Sequence, residues 1–303
     1  MPMNQFLLNI LADPENTQPL LKEAEANMVN PLTGVRYPVI DNIPIFLKEE
    51  QILVQSIDTG TGTEVFDYRS HYENDAREFD YFDHQDSGYT HQERTRSRQS
   101  ILNSVPADAI IILDIGCGSA WVASKLLPKG KKVISMDISS SNPRKALKKF
   151  PHPNHAAIVA DAFFLPFQNG SLDVVIASEV LEHVVDPERF ISKVCEKIKP
   201  GGKFIMLTPY NEKLEYSLCI HCNKLTPKNA HLHSLNENNI RGFIKVKDIS
   251  VKTKAFCNKY VLKLWLYNVL AFLPFSAWHF IDKLSNKIFR KPLLFQIEIT
   301  KLK

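Results

Sequence analysis

Apolar runs at 110–115, 132–136, 156–160, 172–177 and 203–208 alternate with amphipathic stretches near 119–127, 142–149 and 187–198. Short continuous apolar runs bounded by turn residues suit strands buried on both faces, and their alternation with helical periods predicts βαβ units. The middle of the chain is therefore expected to be α/β, a doubly wound, Rossmann-like, mostly parallel sheet. Further on, Asn236–Ile244 is amphipathic, Ile249–Phe256 reads as a strand, 259–289 as aromatic-rich helix, and Leu293–Leu302 alternates as a final strand.

The flanking pattern divides the rest. Residues 1–50 hold an apolar run, Phe6–Ala12, turn signals at Asp13-Pro14 and Asn30-Pro31, and alternation through Tyr37–Ile40 and Ile43–Leu47. Prolines at this density predict a small β-rich segment of short strands and turns. Residues 51–105 turn polar, with aromatics and charges mixed in Phe66–Tyr72 and Asp80–Asp86, and predict a linker and a helical cap over a site. A domain over 106–303 follows, with a Cys/His loop at 211–235 and an apolar basic insertion at 258–292 before the last strand.

Composition adds little until it is divided. With 44% hydrophobic and 23% charged residues the chain has the make-up of a folded protein, which excludes disordered and fibrous classes. The net charge of +4 is a cancellation: residues 241–303 carry 13 Lys and Arg against 3 Asp and Glu, or +10, leaving −6 for the first 240. Such asymmetry points to an anionic partner for the tail, either a membrane surface or nucleic acid. Five scattered cysteines do not make a disulfide framework, and the first residues lack a basic n-region, so a reduced, cytoplasmic chain is expected, membrane-peripheral if the tail touches lipid.

Candidate chemistry sits at successive strand ends. The first strand runs into Asp114-Ile115-Gly116-Cys117-Gly118, a glycine turn that lets the backbone pass close under a ligand. Asp114 would repel a pyrophosphate but attract a cofactor carrying an ammonium and a sulfonium. The second strand ends on Asp137, placed to accept both ribose hydroxyls, and the third is followed by Asp161-Ala162, where an adenine amino group could donate. The fourth ends in Glu179-Val-Leu-Glu182-His183.

Residues 109–210 closely resemble class I S-adenosylmethionine-dependent methyltransferases of the methyltransferase type 11 kind, through LDIGCGSA, MDIS, ADAFFLPF, LDVVIASEVLEHV and IKPGGKFIMLTP. The resemblance implies a seven-stranded sheet, S-adenosyl-L-methionine as cofactor, Asp114, Gly116 and Gly118 beside its methionine end, Asp137 on the ribose, and Asp161 with Ala162 on the adenine. Glu179 joins that cofactor set, and Glu182 and His183 are the candidate catalytic pair. Glu179, Glu182 and His183 also resemble the E-x-x-E-H metal ligands of small RNA 2′-O-methyltransferases and of some quinone-pathway O-methyltransferases, although metal-free relatives share the string, in which His183 lines the pocket or acts as a base.

Two other clusters bear on metals. Cys219, Cys222, His231 and His233 form C-x2-C-x8-H-x-H, a donor set suited to tetrahedral Zn2+ in a structural loop over the acceptor pocket. His231 has a competing reading as a residue that faces the substrate, and the cysteines one as unligated. The opening segment resembles the small Trm112-like zinc-ribbon family, with the usual cysteines replaced at Asp13, Asn16, Asn30 and Thr33, so no metal is expected there.

In the tail, Leu264–Ile281 is an uncharged stretch at the lower limit for crossing a bilayer. A span would strand the final strand away from its sheet, and Pro274 interrupts the helix. Two short helices are expected instead, lying over the acceptor pocket or in a membrane interface. Taken together, the residues predict methyl transfer to a small-molecule or lipid-like acceptor, with an RNA methyltransferase as the alternative enzyme and a non-catalytic cofactor-binding partner protein as the alternative outside the enzymes.

Overall fold

The computed structural model describes residues 3–23, 26–47, 55–58, 63–83, 88–220, 223–263 and 270–303. Its centre is the expected sheet of seven strands. These are β7 (Ile111–Ile115), β8 (Lys132–Asp137), β9 (His155–Val159), β10 (Leu172–Ser178), β11 (Ile198–Pro209), β14 (Ile249–Asn258) and β15 (Pro292–Lys301), in the order β14-β15-β11-β10-β7-β8-β9. Strands β7 to β11 are parallel, whereas β15 runs antiparallel to both β11 and β14. Val174, Val175, Ile176 and Ala177 of the central β10 are all fully buried, which explains why that strand reads as a continuous apolar run. Each such valine or isoleucine contributes about 1.5–3 kcal/mol by leaving water.

Helices α4 (Trp121–Leu126), α5 (Ser141–Lys149) and α6 (Pro187–Lys197) occupy the predicted crossovers. Asp186 caps α6 by accepting from the Arg189 N–H at 2.9 Å, with Pro187 in the first turn. The amphipathic reading of 236–244 shrinks to one short helix, α7 (Ile240–Phe243). The Asn236 carboxamide oxygen accepts from the Asn238 and Asn239 N–H groups while the Asn239 oxygen accepts from Asn236 N–H, a reciprocal cap at the entry to that short helix.

Ahead of the sheet, α1 (Gln5–Leu8) leads to a four-stranded antiparallel sheet, β1 (Leu21–Glu23), β2 (Asn27–Val29), β3 (Arg36–Ile40) and β4 (Ile43–Pro44). The four positions singled out in the sequence hold its turns by hydrogen bonds. Asp13 accepts from Glu15 N–H at 2.9 Å, Asn30 accepts from Leu32 N–H at 2.9 Å, and the Asn30 amide donates to Asp13 at 2.8 Å and to Asn16 at 3.2 Å. The Tyr37 hydroxyl closes the network on Asp13 at 3.1 Å. This segment docks on the edge of the main sheet, where Phe46 N–H donates to the Val159 carbonyl and Leu11 bridges Phe167. It thereby covers an edge that would otherwise be free to pair.

The polar region supplies the hairpin β5 (Gln55–Asp58) and β6 (Thr63–Phe66), then α2 (Tyr68–Glu78) and α3 (Gly88–Ser104). Near the other end, β12 (Tyr216–Leu218) and β13 (Leu225–Pro227) form a hairpin, and α8 (Lys259–Lys263) and α9 (Phe275–Ile288) lie between β14 and β15. As Pro274 foretold, α9 begins directly after it. Residues 264–269 of the apolar stretch lie outside the described residues. Among those described, no helix is long and apolar enough to cross a membrane.

Candidate functional site

A cavity of about 690 Å³ opens over the carboxyl ends of β7 to β10, where the strand order reverses between β7 and β10. Open α/β sheets bind ligands at that switch point, and the volume suits a small-molecule site. The glycine turn forms its floor. Gly116 has φ +66°, and a Cβ there would meet the Val180 side chain at 2.7 Å, so only glycine fits.

Of the sequence-predicted cofactor residues, Gly116, Gly118, Asp137, Asp161, Ala162 and Glu179 line this cavity. Asp137 accepts from Ser139 N–H at 3.0 Å, from the Asn142 amide at 3.0 Å and from Gly118 N–H at 3.3 Å, which ties the end of β8 to the glycine turn. Burial raises its carboxyl above the ordinary value despite those bonds. Asp161 accepts from Phe163 N–H at 2.8 Å and from the Tyr68 hydroxyl at 2.5 Å, and burial raises it too. Asp114 is placed differently from the expectation. It is 2% exposed behind the turn and does not line the cavity, one carboxylate oxygen finds no partner among the described residues, and burial followed by the charge of Asp137 pushes it well up.

The cap contributes residues that the sequence indicated only as a region. Tyr68, Tyr72 and Asp75 come from α2, Phe79 and Tyr81 from the turn after it, and Glu93, Arg94 and Arg98 from α3. Glu73 accepts from the Ser140 N–H at 2.7 Å and from the Ser140 hydroxyl at 2.8 Å, which latches α2 to the loop after β8. The mixed aromatic and charged run Phe66–Tyr72 was a visible signal for the tyrosines. Arg94 and Arg98 had none, because α3 lacks a clear apolar face.

At the end of β10 no helical turn spans Glu179, Glu182 and His183. Glu179 takes a left-handed conformation at φ +57°, and only Leu181–His183 makes a short 3₁₀ turn. The Glu179 side chain is exposed to the cavity yet walled by protein, and its carboxyl is pushed up to about 8 by burial, then by Glu93 and Glu212. Glu182 is fully buried below the turn. Neither of its carboxylate oxygens makes a hydrogen bond of ordinary geometry among the described residues, and burial, then the charge of Glu179, holds it well above the usual carboxylate range against a smaller pull from its own N–H and the Thr208 hydroxyl.

His183 and His231 close on Glu182. One ligand atom from each of the three lies within 4.8 Å of the others, and the two imidazoles are 4.8 Å apart, edge to face. Both rings are oriented through Nδ1: that of His183 donates to the Ala230 carbonyl at 3.1 Å, and that of His231 bonds the Glu212 carboxylate at 2.5 Å. Carbonyl and carboxylate oxygens only accept, so Nε2 of a neutral ring is left with its lone pair. Burial, then His231, pushes His183 down to about 4, which keeps it neutral. Leu232 N–H donates to the Glu182 carbonyl at 2.7 Å and thereby fixes the approach of the loop.

The proposed zinc quartet is split by this arrangement. His231 belongs with Glu182 and His183, while His233 uses Nε2 to donate to the Val184 carbonyl at 2.8 Å. Cys219 sits at the β12–β13 hairpin, with its N–H on the Lys224 carbonyl at 2.9 Å, and among the described residues joins no metal-competent group with either histidine. Cys222 lies outside the described residues.

The family description of a methyltransferase domain, type 11, matches residues 113–206. A ubiquinone biosynthesis O-methyltransferase of Methylobacterium nodulans is 32% identical over 121 residues, 38% of this chain and 47% of that protein. The mitochondrial ubiquinone biosynthesis O-methyltransferase of Homo sapiens is 29% identical over 203 residues, 62% of this chain and 52% of that protein. The chain thus spans about half the length of these curated relatives. Among solved structures, an S-adenosylmethionine-dependent methyltransferase from Mesorhizobium loti superposes with TM-score 0.51 at 15% identity, covering 69% of this chain and all of that one. The [4+2]-cyclase SpnF superposes with TM-score 0.52 at 12% identity, covering 83% and 98%. Likenesses at these identities establish the fold, and the cyclase shows that the fold alone does not fix the reaction.

Proposed function

Taking residues 113–206 as a methyltransferase domain set in the fold of the class I S-adenosylmethionine-dependent methyltransferases, we propose that the chain transfers a methyl group from S-adenosyl-L-methionine to a hydroxyl of a small or lipid-like acceptor. The observation that carries this reading is one shared cavity, lined at one end by Asp137 and Asp161 and at the other by Glu179, His183 and Tyr72. Asp137 takes the ribose hydroxyls, Asp161 with Ala162 the adenine edge, and the Gly116–Gly118 turn the methionine end. Asp114 lies behind that turn, outside the cavity lining, and makes no direct contact in the cofactor space.

Transfer is an in-line displacement: the acceptor oxygen forms its bond to the methyl carbon as the sulfur–carbon bond breaks, and sulfur leaves with the electron pair. Positioning therefore matters more than acid–base strength. The hydroxyl proton still has to leave, and Glu179, with its carboxyl raised to about 8, becomes the base that takes it as pH rises through that value. Tyr72, whose buried hydroxyl has no partner among the described residues and whose ring lies 5.8 Å from that of His183, orients the acceptor.

Two orphaned oxygens on Glu182 and two imidazoles held through Nδ1 are a donor set that fits a divalent cation, with Glu212 and the Ala230 carbonyl as the outer partners such ligands need. Glu182, His183 and His231 would hold it, and when bound it would supply Lewis-acid polarisation of the acceptor hydroxyl. The names of the curated relatives support a hydroxylated aromatic ring as acceptor, and the aromatic lining of Tyr72, Phe79 and Tyr81 supports the same class. Incubation with S-adenosyl-L-methionine and a panel of catechols bearing apolar tails, read by mass spectrometry, should give a product heavier by one methyl group. Absence of methylation across catechols, with methylation of RNA in its place, would overturn the acceptor class.

A further inference from the structure

The outward face of α9 has no role in the cavity. Phe280, Leu284 and Ile288 follow one another at helical spacing along it and are 69%, 49% and 63% exposed. Phe272, at 91%, and Phe289, at 65%, extend the strip at both ends. Lys283 and Lys287 flank it on the same face, and Lys259, Arg290 and Lys291 surround its end; all five are exposed, with Arg290 paired to Glu237 at 2.9 Å. The one acid between residues 259 and 291 is Asp282, which is fully buried and accepts from the Cys257 and Asn258 N–H groups at 3.1 and 2.6 Å. The inward face is occupied: Trp278 is 1% exposed and stacks under the Arg96 guanidinium at 5.1 Å.

We propose that this face docks on an anionic phospholipid bilayer, with the phenylalanine, leucine and isoleucine side chains among the acyl chains and the lysines at the phosphates. Apolar tips flanked by exposed lysines, with the one acid of residues 259–291 buried, match that surface in both polarity and charge. A second copy of the chain fits poorly, because a twofold contact would set Lys283 and Lys287 against themselves. RNA would meet the lysines but gains nothing from a ridge of aliphatic tips. Docking also brings the cavity close to the lipid. Arg96 belongs to α3, donates to the carbonyls of Leu270, Ala271 and Leu273, and so ties the turn before α9 to the helix whose Glu93, Arg94 and Arg98 line the cavity. The inference rests on this surface and stands apart from the acceptor assigned above.

Flotation of the full chain with vesicles tests it. Vesicles of equal parts phosphatidylglycerol and phosphatidylcholine should carry the protein, and pure phosphatidylcholine should carry about tenfold less. Phe280→Ser/Leu284→Ser and Lys283→Glu/Lys287→Glu should each lower binding to the anionic vesicles by about tenfold while binding of S-adenosylhomocysteine is unchanged. Lys283→Gln/Lys287→Gln keeps the test decisive if the glutamates disturb the helix. Wild-type protein that floats with neither vesicle or equally with both, variants that float like wild type, or retardation of RNA without flotation would each overturn the proposal.

Discussion

Tyr68 and Asp161 meet at 2.5 Å, hydroxyl to carboxylate, and join the first turn of the cap helix α2 to the loop after β9. The bond makes the cap part of the cofactor wall, since the same carboxylate is the one assigned to the adenine. A hydrogen bond to a charged group contributes about 1.5–3 kcal/mol. Tyr68→Phe should therefore weaken S-adenosylhomocysteine binding by about tenfold in calorimetry, and in a double-mutant cycle with Asp161→Asn the two losses should not add. Additive losses would show that the two residues act separately.

A divalent cation should stabilise the protein through Glu182. Added Mn2+ or Mg2+ is expected to raise the melting temperature, by linkage to the folded state. Glu182→Gln and His231→Ala should abolish the rise, and Cys219→Ser should leave it intact. Dependence on Cys219 instead would restore the zinc loop read from the sequence.

Asp282 sets a pH dependence remote from the cavity. Burial raises its carboxyl to about 6 from 3.8, although the Asn258 and Cys257 N–H groups pull the other way. Because the folded value lies above the unfolded one, the protonated form is favoured in the fold. Its contribution is full below 3.8 and is lost as pH rises through about 6. Melting temperatures across that window should show a falling component that Asp282→Asn removes; an unchanged slope in the variant would contradict the assignment.

The small N-terminal sheet should depend on its side-chain network. Asn30 is fully buried, donates to Asp13 and Asn16, and holds the next turn through its oxygen. Asn30→Ala leaves buried Asp13 short of a donor, a change worth about 1–3 kcal/mol, and should lower the melting temperature with no rescue by added zinc. Rescue by zinc would mean that the segment binds metal after all.

The sheet was legible in the sequence because each parallel strand is buried on both faces and so appears as an unbroken apolar run, with Asp137 and Asp161 standing at the ends of two of them. Gly116 was legible for the same local reason. What local pattern could not carry is pairing between distant segments. His231 reaches Glu182 because Leu232 and His233 bond the Glu182 carbonyl across about fifty positions, a tertiary choice that the short spacing to Cys222 concealed. Arg94 and Arg98 were hidden by a cap helix with no apolar stripe. At 236–239 three asparagines bond one another as a cap, and the amphipathic stretch yields only the short helix after them.

Calorimetry with S-adenosylhomocysteine is the most direct test of the cofactor site. Wild-type protein should bind at a single site per chain, and Asp137→Ala, which removes a charged partner of the ribose hydroxyls, should weaken binding by about tenfold or more. Absence of binding by the wild type, or equal binding by the variant, would contradict the account.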